Sequence, residues 1–494
     1  MKNATRLFYC ALIFSLVFHV LHGLLLPIVV PYEGLNCLQL ARVIGTNQFT
    51  SAYDFTQAPA YPLALKISLA LFGQNAWAAQ LPNFVFGFSG IVLLAFTIKR
   101  LGYASAAAAC AVFLTLYPTF IAYEHTLLPE VATFFSLSLI TFALLWLTNK
   151  LWLRTLAVAA SLAVAYYFCE RLQYIAPVIA LVNGISLLPL RLPGEEVSGL
   201  GRKPWARVVA HTLAACAIPF LLAWPWMKMQ ARYERPWTVG MRMNDSDISR
   251  NLLLYGLLKQ AVLPDDDPVI GQSATRYREA IKECSSGSVL NVSGLTPQAM
   301  AQFEWDVLAQ HASEGRAIFF RTVKDHTSRY AAGVERSLLF LSGLHGIDDE
   351  NGLYVSDVIK DADAGAKIYG IDHPLFAEAK SRFVQNTQRT LLSKTLTQLT
   401  SIYDILLVAA AGVSALGLIA GFYRLDVRLV AFTAVPVALI LLHALMLLSI
   451  HRYAVPAWPI LLANLIMVPV LLWRPRVVDP DTVLVEVPGA YAAS

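Results

Sequence analysis

Long apolar runs alternate with short polar breaks along most of this chain. A helix needs about 20 apolar residues to cross a bilayer. Ten runs near that length fall at about 7–30, 77–98, 103–122, 127–148, 155–169, 172–190, 208–226, 402–422, 429–450 and 454–473. Three polar stretches are longer than a tight turn: 31–76 follows the first run, the basic, Gly-containing 191–207 follows the sixth and 227–401 follows the seventh. Inside 31–76, two amphipathic segments at 35–44 and 61–72 carry the pattern of helices lying in the interface plane. Pro59 and Pro62 punctuate the entry to the second of these. Within 227–401, residues 299–340 show helical apolar spacing with mixed charge, which predicts two or three helices. The pattern therefore predicts an all-α polytopic membrane protein. Its parts are an N-terminal transmembrane module (1–226), an external, mainly helical segment (227–401), C-terminal transmembrane helices (402–476) and a loose tail (477–494).

Composition agrees. The 494 residues are 57% hydrophobic and 14% charged, against about 25% charged in an average soluble chain. The mean hydropathy is +0.55. The net charge of +5 is mild, and no nucleic-acid partner is expected. The placement of cations is more informative. Lys2, Arg6, Lys99, Arg100, Lys150, Arg154, Arg191, Arg202, Lys203, Arg207, Arg424, Arg428, Arg474 and Arg476 fall on one side of the alternating runs. By the positive-inside rule that side is cytoplasmic, with both termini, and 31–76 and 227–401 lie outside. The first run is longer than a signal peptide's apolar region and no small-residue cleavage site follows it, so it is read as a retained helix. Of six cysteines, Cys10, Cys110, Cys169 and Cys216 fall in apolar runs. Cys37 and Cys284 fall in external segments, and whether they pair is left open. No metal-ligand spacing and no P-loop is present.

Ionisable residues gather at one membrane face. Glu33 and Asp54 sit near the ends of the runs that flank the first loop. A carboxylate at such a boundary is costly unless it is used or paired; the plain alternative for Glu33 is a helix cap. The short turn Tyr123-Glu124-His125-Thr126, with Glu130 one turn into the next run, holds three ionisable groups, or pairs one of them with a nearby cation. Arg171 ends the fifth run and Arg452-Tyr453 opens the last. Two arginines converging from different helices would clamp an anion at headgroup depth; the alternatives are snorkelling and a structural ion pair. Lys66 in the first loop is a further candidate cation, whereas His443 inside the ninth run reads as a satisfied bundle histidine.

Tyr32-Glu33-Gly34, Gln57-Ala58-Pro59, Tyr61-Pro62-Leu63 and Leu71-Phe72-Gly73 occur in the order found in the first external loop of GT-C membrane glycosyltransferases. Trp224-Pro225-Trp226 through Asn251-Leu252, residues 304–340, and Arg452-Tyr453-Ala454-Val455-Pro456 extend the likeness. The chain resembles the protein O-mannosyltransferases and the lipid A aminoarabinose transferases. Gln57-Ala58 stands where the family often has a basic residue and a proline, and Tyr32 where it often has Asp. The resemblance implies a GT-C fold and a sugar donor on a polyprenyl phosphate. Transfer would invert the anomeric carbon at the outer face of a bacterial inner membrane, without metal or other cofactor. The acceptor would be a glycolipid, a polysaccharide or a protein. It implies Glu33 as general base with Asp54 as its helper. Arg452, Arg171 and Lys66 would bind the donor phosphate, and Glu124, His125, Glu130 and Tyr453 would line the acceptor site. The rival from another class is a transporter or flippase of a lipid-linked glycan. A carrier would need acids along a transmembrane path, and here they keep to one face.

Overall fold

A computed structural model describes residues 2–26, 28–53, 57–146, 151–185, 203–233, 256–257, 262, 314–343, 358–359, 389–424, 426–447 and 451–473. These residues are almost wholly helical; the pairing of extended chain among them is an isolated parallel bridge between Val29 and Thr126. Among them, six helices are long and apolar enough to cross a membrane, or seven if one bent pair counts as a single span. The protein is a multi-pass membrane protein.

The first span, α1 (Lys2–Leu25), ends earlier than the apolar run predicts. Pro27 stands two residues beyond its last turn, and a proline supplies no N–H to continue the ladder. The chain then runs extended: Val29 N–H donates to His125 carbonyl at 2.9 Å, and Leu127 N–H to Val29 carbonyl at 2.9 Å. Next come α2 (Tyr32–Val43), the short α3 (Phe49–Ala52) and α4 (Ala60–Phe72). The first and last of these match the two amphipathic segments of the first loop, with α2 starting three residues earlier than its apolar pattern.

The second span is α5 (Ala76–Arg100), opened by Asn75, whose side chain accepts from Ala78 N–H. The third apolar run is not one helix. It divides into α6 (Ala104–Thr115) and α7 (Pro118–Glu124), bent by 63°. Pro118 pushes Tyr117 out of the helical region, and Tyr117 has φ −73° and ψ 109°. Then follow α8 (Glu130–Trp146), α9 (Leu151–Phe168), a 3₁₀ turn (Glu170–Ile175), α10 (Ala176–Ile185) and α11 (Lys203–Tyr233). The sixth run therefore begins with a 3₁₀ turn rather than a continuous span. From the segment 227–401 come α12 (Gly315–Asp325) and α13 (Thr327–Leu341), two of the expected helices. The chain finishes with α14 (Arg389–Arg424), α15 (Val427–Leu445), the single turn α16 (His451–Ala454) and α17 (Trp458–Trp473).

Small residues let the spans approach closely. Ala107, Ala108 and Ala111 of α6 are buried against α1, and Thr115 Oγ1 donates to Ser15 Oγ at 2.7 Å. Gly90 of α5 leaves room for the Phe134 ring of α8. Outward positions of α1, such as Ile13, Val17 and Val20, are exposed and apolar, as a lipid-facing surface requires. Trp458 Nε1 donates to Leu341 carbonyl at 2.9 Å and Tyr330 OH to Leu445 carbonyl at 2.8 Å, so α13 is fastened to the C-terminal helices.

Candidate active site

The ends of α1, α7, α9 and α15 meet the starts of α2 and α8 at one end of the bundle. Two polar clusters form there. The first surrounds the turn after α7. Gln80 Nε2 donates to Glu124 carbonyl at 3.2 Å and Asn83 Nδ2 to Thr126 carbonyl at 2.7 Å, so α5 carries the turn by its backbone. Glu124 and His125 are fully buried, and so is His22. Glu124 Oε1 lies 3.0 Å from His19 Nε2, Glu124 Oε2 lies 3.4 Å from His22 Nε2, and His22 Nδ1 lies 3.0 Å from His125 Nε2. Glu124 is thus faced by two histidines from α1 rather than by a lysine or arginine. His19 and His22 sit about 9 Å and 5 Å inside the end of that helix, taking about 1.5 Å per residue. The sequence shows no metal-ligand spacing, yet the fold brings the ligand atoms of His19, His22 and Glu124 within 4.8 Å of one another. Sequence reading missed it because Glu124 is more than a hundred positions from both histidines. The available signal was Ser15, His19 and His22 at i, i+4 and i+7, one polar stripe in an apolar helix.

The second cluster joins elements far apart in sequence. Arg452 Nε lies 2.7 Å from Glu130 Oε1 in an ion pair, with the arginine side chain 15% exposed. Arg171 Nη2 donates to Tyr453 OH at 2.8 Å, and its guanidinium carbon stands 3.6 Å from the centre of the same ring. His443 stacks on Tyr453 at 5.4 Å between centroids, and the Arg452 guanidinium lies 5.7 Å from that ring. Tyr61, at the start of α4, borders Glu130. Burial, with Cys37 and Glu130 nearby, holds its phenol well above the usual value, so it stays protonated. Behind Arg171, Glu170 accepts from Trp226 Nε1 at 3.2 Å and from Gln230 Nε2, which ties α11 to the same place.

The remaining candidates are distributed as follows. The backbone of Glu33 lies in the first turn of α2. The next residue, Gly34, packs so closely on the Leu127 carbonyl that a methyl group would collide with it. The Glu33 side chain and Asp54 lie outside the described residues, as does Cys284. Lys66 is apart from both arginines: its ammonium donates to Ile44 carbonyl, closing the C-terminal end of α2.

Residues 56–224 match the family of dolichyl-phosphate-mannose-protein mannosyltransferases. The chain resembles that family over this stretch. The mannosyltransferase match runs from the loop before α4 into α11, so it takes in Tyr61, Glu124, His125, Glu130 and Arg171; it begins after Glu33 and ends before Arg452. The GT-C likeness read from the sequence is found again here. Two crystal structures of ArnT from Cupriavidus metallidurans are also similar. The one bound to undecaprenyl phosphate aligns at a TM-score of 0.38 and 13% identity, covering 92% of this chain and 77% of that one. The apo structure gives 0.36 and 13%, covering 92% and 76%. No curated protein matches the sequence.

Proposed function

We propose that this chain is an integral membrane glycosyltransferase of the GT-C type. It takes a sugar from a polyprenyl-phosphate donor and transfers it, with inversion, to an extracytoplasmic acceptor. The observation that carries the reading is the convergence of Arg171 and Arg452 on Tyr453 beside Glu130, within a chain that matches a lipid-phosphate-sugar transferase family. A polyprenyl tail stays in hydrocarbon, so its phosphate must sit near the headgroups. Arginine forks at that depth match phosphate oxygens better than a point charge does.

The chemistry follows from that placement. Glu33 takes the proton of the acceptor hydroxyl. The hydroxyl oxygen attacks the anomeric carbon from the face opposite the phosphate. The bond from that carbon to the phosphate oxygen breaks, and polyprenyl phosphate leaves with its added charge held by Arg452 and Arg171. Glu130 keeps Arg452 aimed by pairing through Nε, and the Tyr453 ring supports Arg171 from below. Glu33 is brought to this end by the close seat of Gly34 on Leu127 and by the Val29–Thr126 bridge. The candidate site acids read at one face of the membrane support transfer over carriage of a whole lipid-linked glycan.

The test is direct. Full-length protein in nanodiscs is given a polyprenyl-phosphate sugar and candidate acceptors, and free polyprenyl phosphate is measured. Envelope glycans of a deletion strain, examined by mass spectrometry, identify the acceptor. A protein that releases no polyprenyl phosphate from any donor, while its deletion leaves every envelope glycan unchanged, would refute the proposal.

A further inference from the structure

The cluster around Glu124 has a second feature that the transfer reaction does not use. His19 Nδ1 donates to Ser15 carbonyl at 2.7 Å. His22 Nδ1 is occupied by His125 Nε2 at 3.0 Å. In each ring Nδ1 is taken, so Nε2 is the atom that points at the Glu124 carboxylate. His22 Nε2 and Glu124 Oε2 are buried, 3.4 Å apart, with no hydrogen-bond partner among the described residues. With His22 Nδ1–H turned to His125, Nε2 faces Glu124 Oε2 lone pair to lone pair, an arrangement that is costly inside the protein unless a proton or a cation lies between them. A histidine whose second nitrogen is anchored on a carbonyl or another acceptor is the usual form of a metal ligand.

The spacing fits. Zinc–nitrogen bonds of about 2.0–2.1 Å place neighbouring tetrahedral ligands about 3.3–3.4 Å apart. The two Nε2-to-carboxylate distances are 3.0 and 3.4 Å. Space is also reserved for the carboxylate: a methyl group on Gly87 of α5 would strike Glu124 Oε1. The rings of Phe18, Phe84 and Phe88 pack around the two histidines and form an apolar wall.

We propose that His19, His22 and Glu124 form a divalent transition-metal site, tying the first span to the turn at 124–126. Two imidazoles and one carboxylate are the donor set of zinc rather than of magnesium or calcium, which take oxygen ligands. The metal would displace the proton otherwise shared between His19 and Glu124, so affinity falls as pH falls. Its role is structural: through the Val29–Thr126 bridge it would fix where the first loop leaves α1. The inference does not rest on the glycosyltransferase reading.

The test uses full-length protein, without a polyhistidine tag, in nanodiscs. It is stripped with chelator and titrated with cobalt(II), zinc or magnesium alone. Metal content, the visible absorption of bound cobalt and the unfolding temperature are recorded. The expected result is one cobalt per chain with the intense bands of a low-coordinate site. Zinc should displace it and magnesium should not, and zinc should raise the unfolding temperature by several degrees. His19→Gln and Glu124→Gln should each lose the cobalt bands. Wild-type protein with no cobalt band and no zinc-dependent shift in unfolding would overturn the proposal and leave a proton-sharing hydrogen-bond cluster. The wild-type titration decides the point even if a variant fails to fold. Cobalt bands that persist in well-folded variants would also overturn it, by placing the metal elsewhere.

Discussion

The two polar clusters lie at the same end of one helical bundle and are built for different access. Around Glu124 every charged or ring nitrogen group is sealed, with Glu124, His125 and His22 fully buried and aromatic rings closing the sides. Around Tyr453 the two arginines and the ring are half-buried, so part of each stays accessible. The difference comes from what lies behind each group. Glu124 is held by histidines on a span that faces lipid on its other side. Arg171 stands on the 3₁₀ turn after α9 and Arg452 on the single turn α16, at the ends of the longer helices. Charge at a membrane boundary is therefore a poor guide to catalysis until its access is known.

Breaking the proposed chemistry at its base should have the largest effect. Glu33→Gln keeps the size and cannot accept a proton. General-base assistance is worth about 10²–10⁴ in rate, or about 3–5 kcal/mol of barrier. Transfer should fall at least about a hundredfold with normal membrane insertion; a loss under threefold would move the base to another group, Asp54 first. Arg452→Ala comes next. Losing a pair of charge-assisted hydrogen bonds at about 1.5–3 kcal/mol each should weaken donor use by about 10²–10⁴. Arg452→Lys keeps charge without the fork and should fall between. The comparison would fail if Arg452→Ala turned over donor like wild type.

Tyr453→Phe sharpens the same contrast. It removes the 2.8 Å bond to Arg171 and keeps the ring beneath the guanidinium. The expected loss is about tenfold in donor affinity, within the range of one hydrogen bond to a charged group. Lys66→Met should have the smallest effect. Its ammonium satisfies Ile44 carbonyl at the end of α2, so unfolding measurements should show a cost of about 1 kcal/mol with donor affinity little changed. A tenfold loss of donor affinity would put Lys66 with the arginines instead.

Much of the architecture was readable from the apolar pattern, because a span must satisfy its own backbone and stay apolar. The first-loop helices were readable for a similar reason, since α2 and α4 carry one apolar face each. Pro27 and Pro118 explain where the pattern misleads: an apolar run does not reveal that a proline ends or bends the helix within it. The pairing of side chains was not readable. Arg452 and Glu130 are 322 positions apart (452 − 130), and nothing local links them. Glu124 has no lysine or arginine near it in sequence, and its partners are histidines of α1 about a hundred positions away. An isolated histidine in an apolar run reads as satisfied core. Only the stripe with Ser15 hinted that His19 and His22 share a face.

The most direct measurement is the affinity of the full-length protein for polyprenyl phosphate itself, titrated in nanodiscs against wild type, Arg452→Ala, Arg171→Ala and Lys66→Met. The account predicts saturable binding by wild type, a loss of about a hundredfold or more in each arginine variant, and a change under threefold in Lys66→Met. Equal binding by wild type and both arginine variants would contradict it.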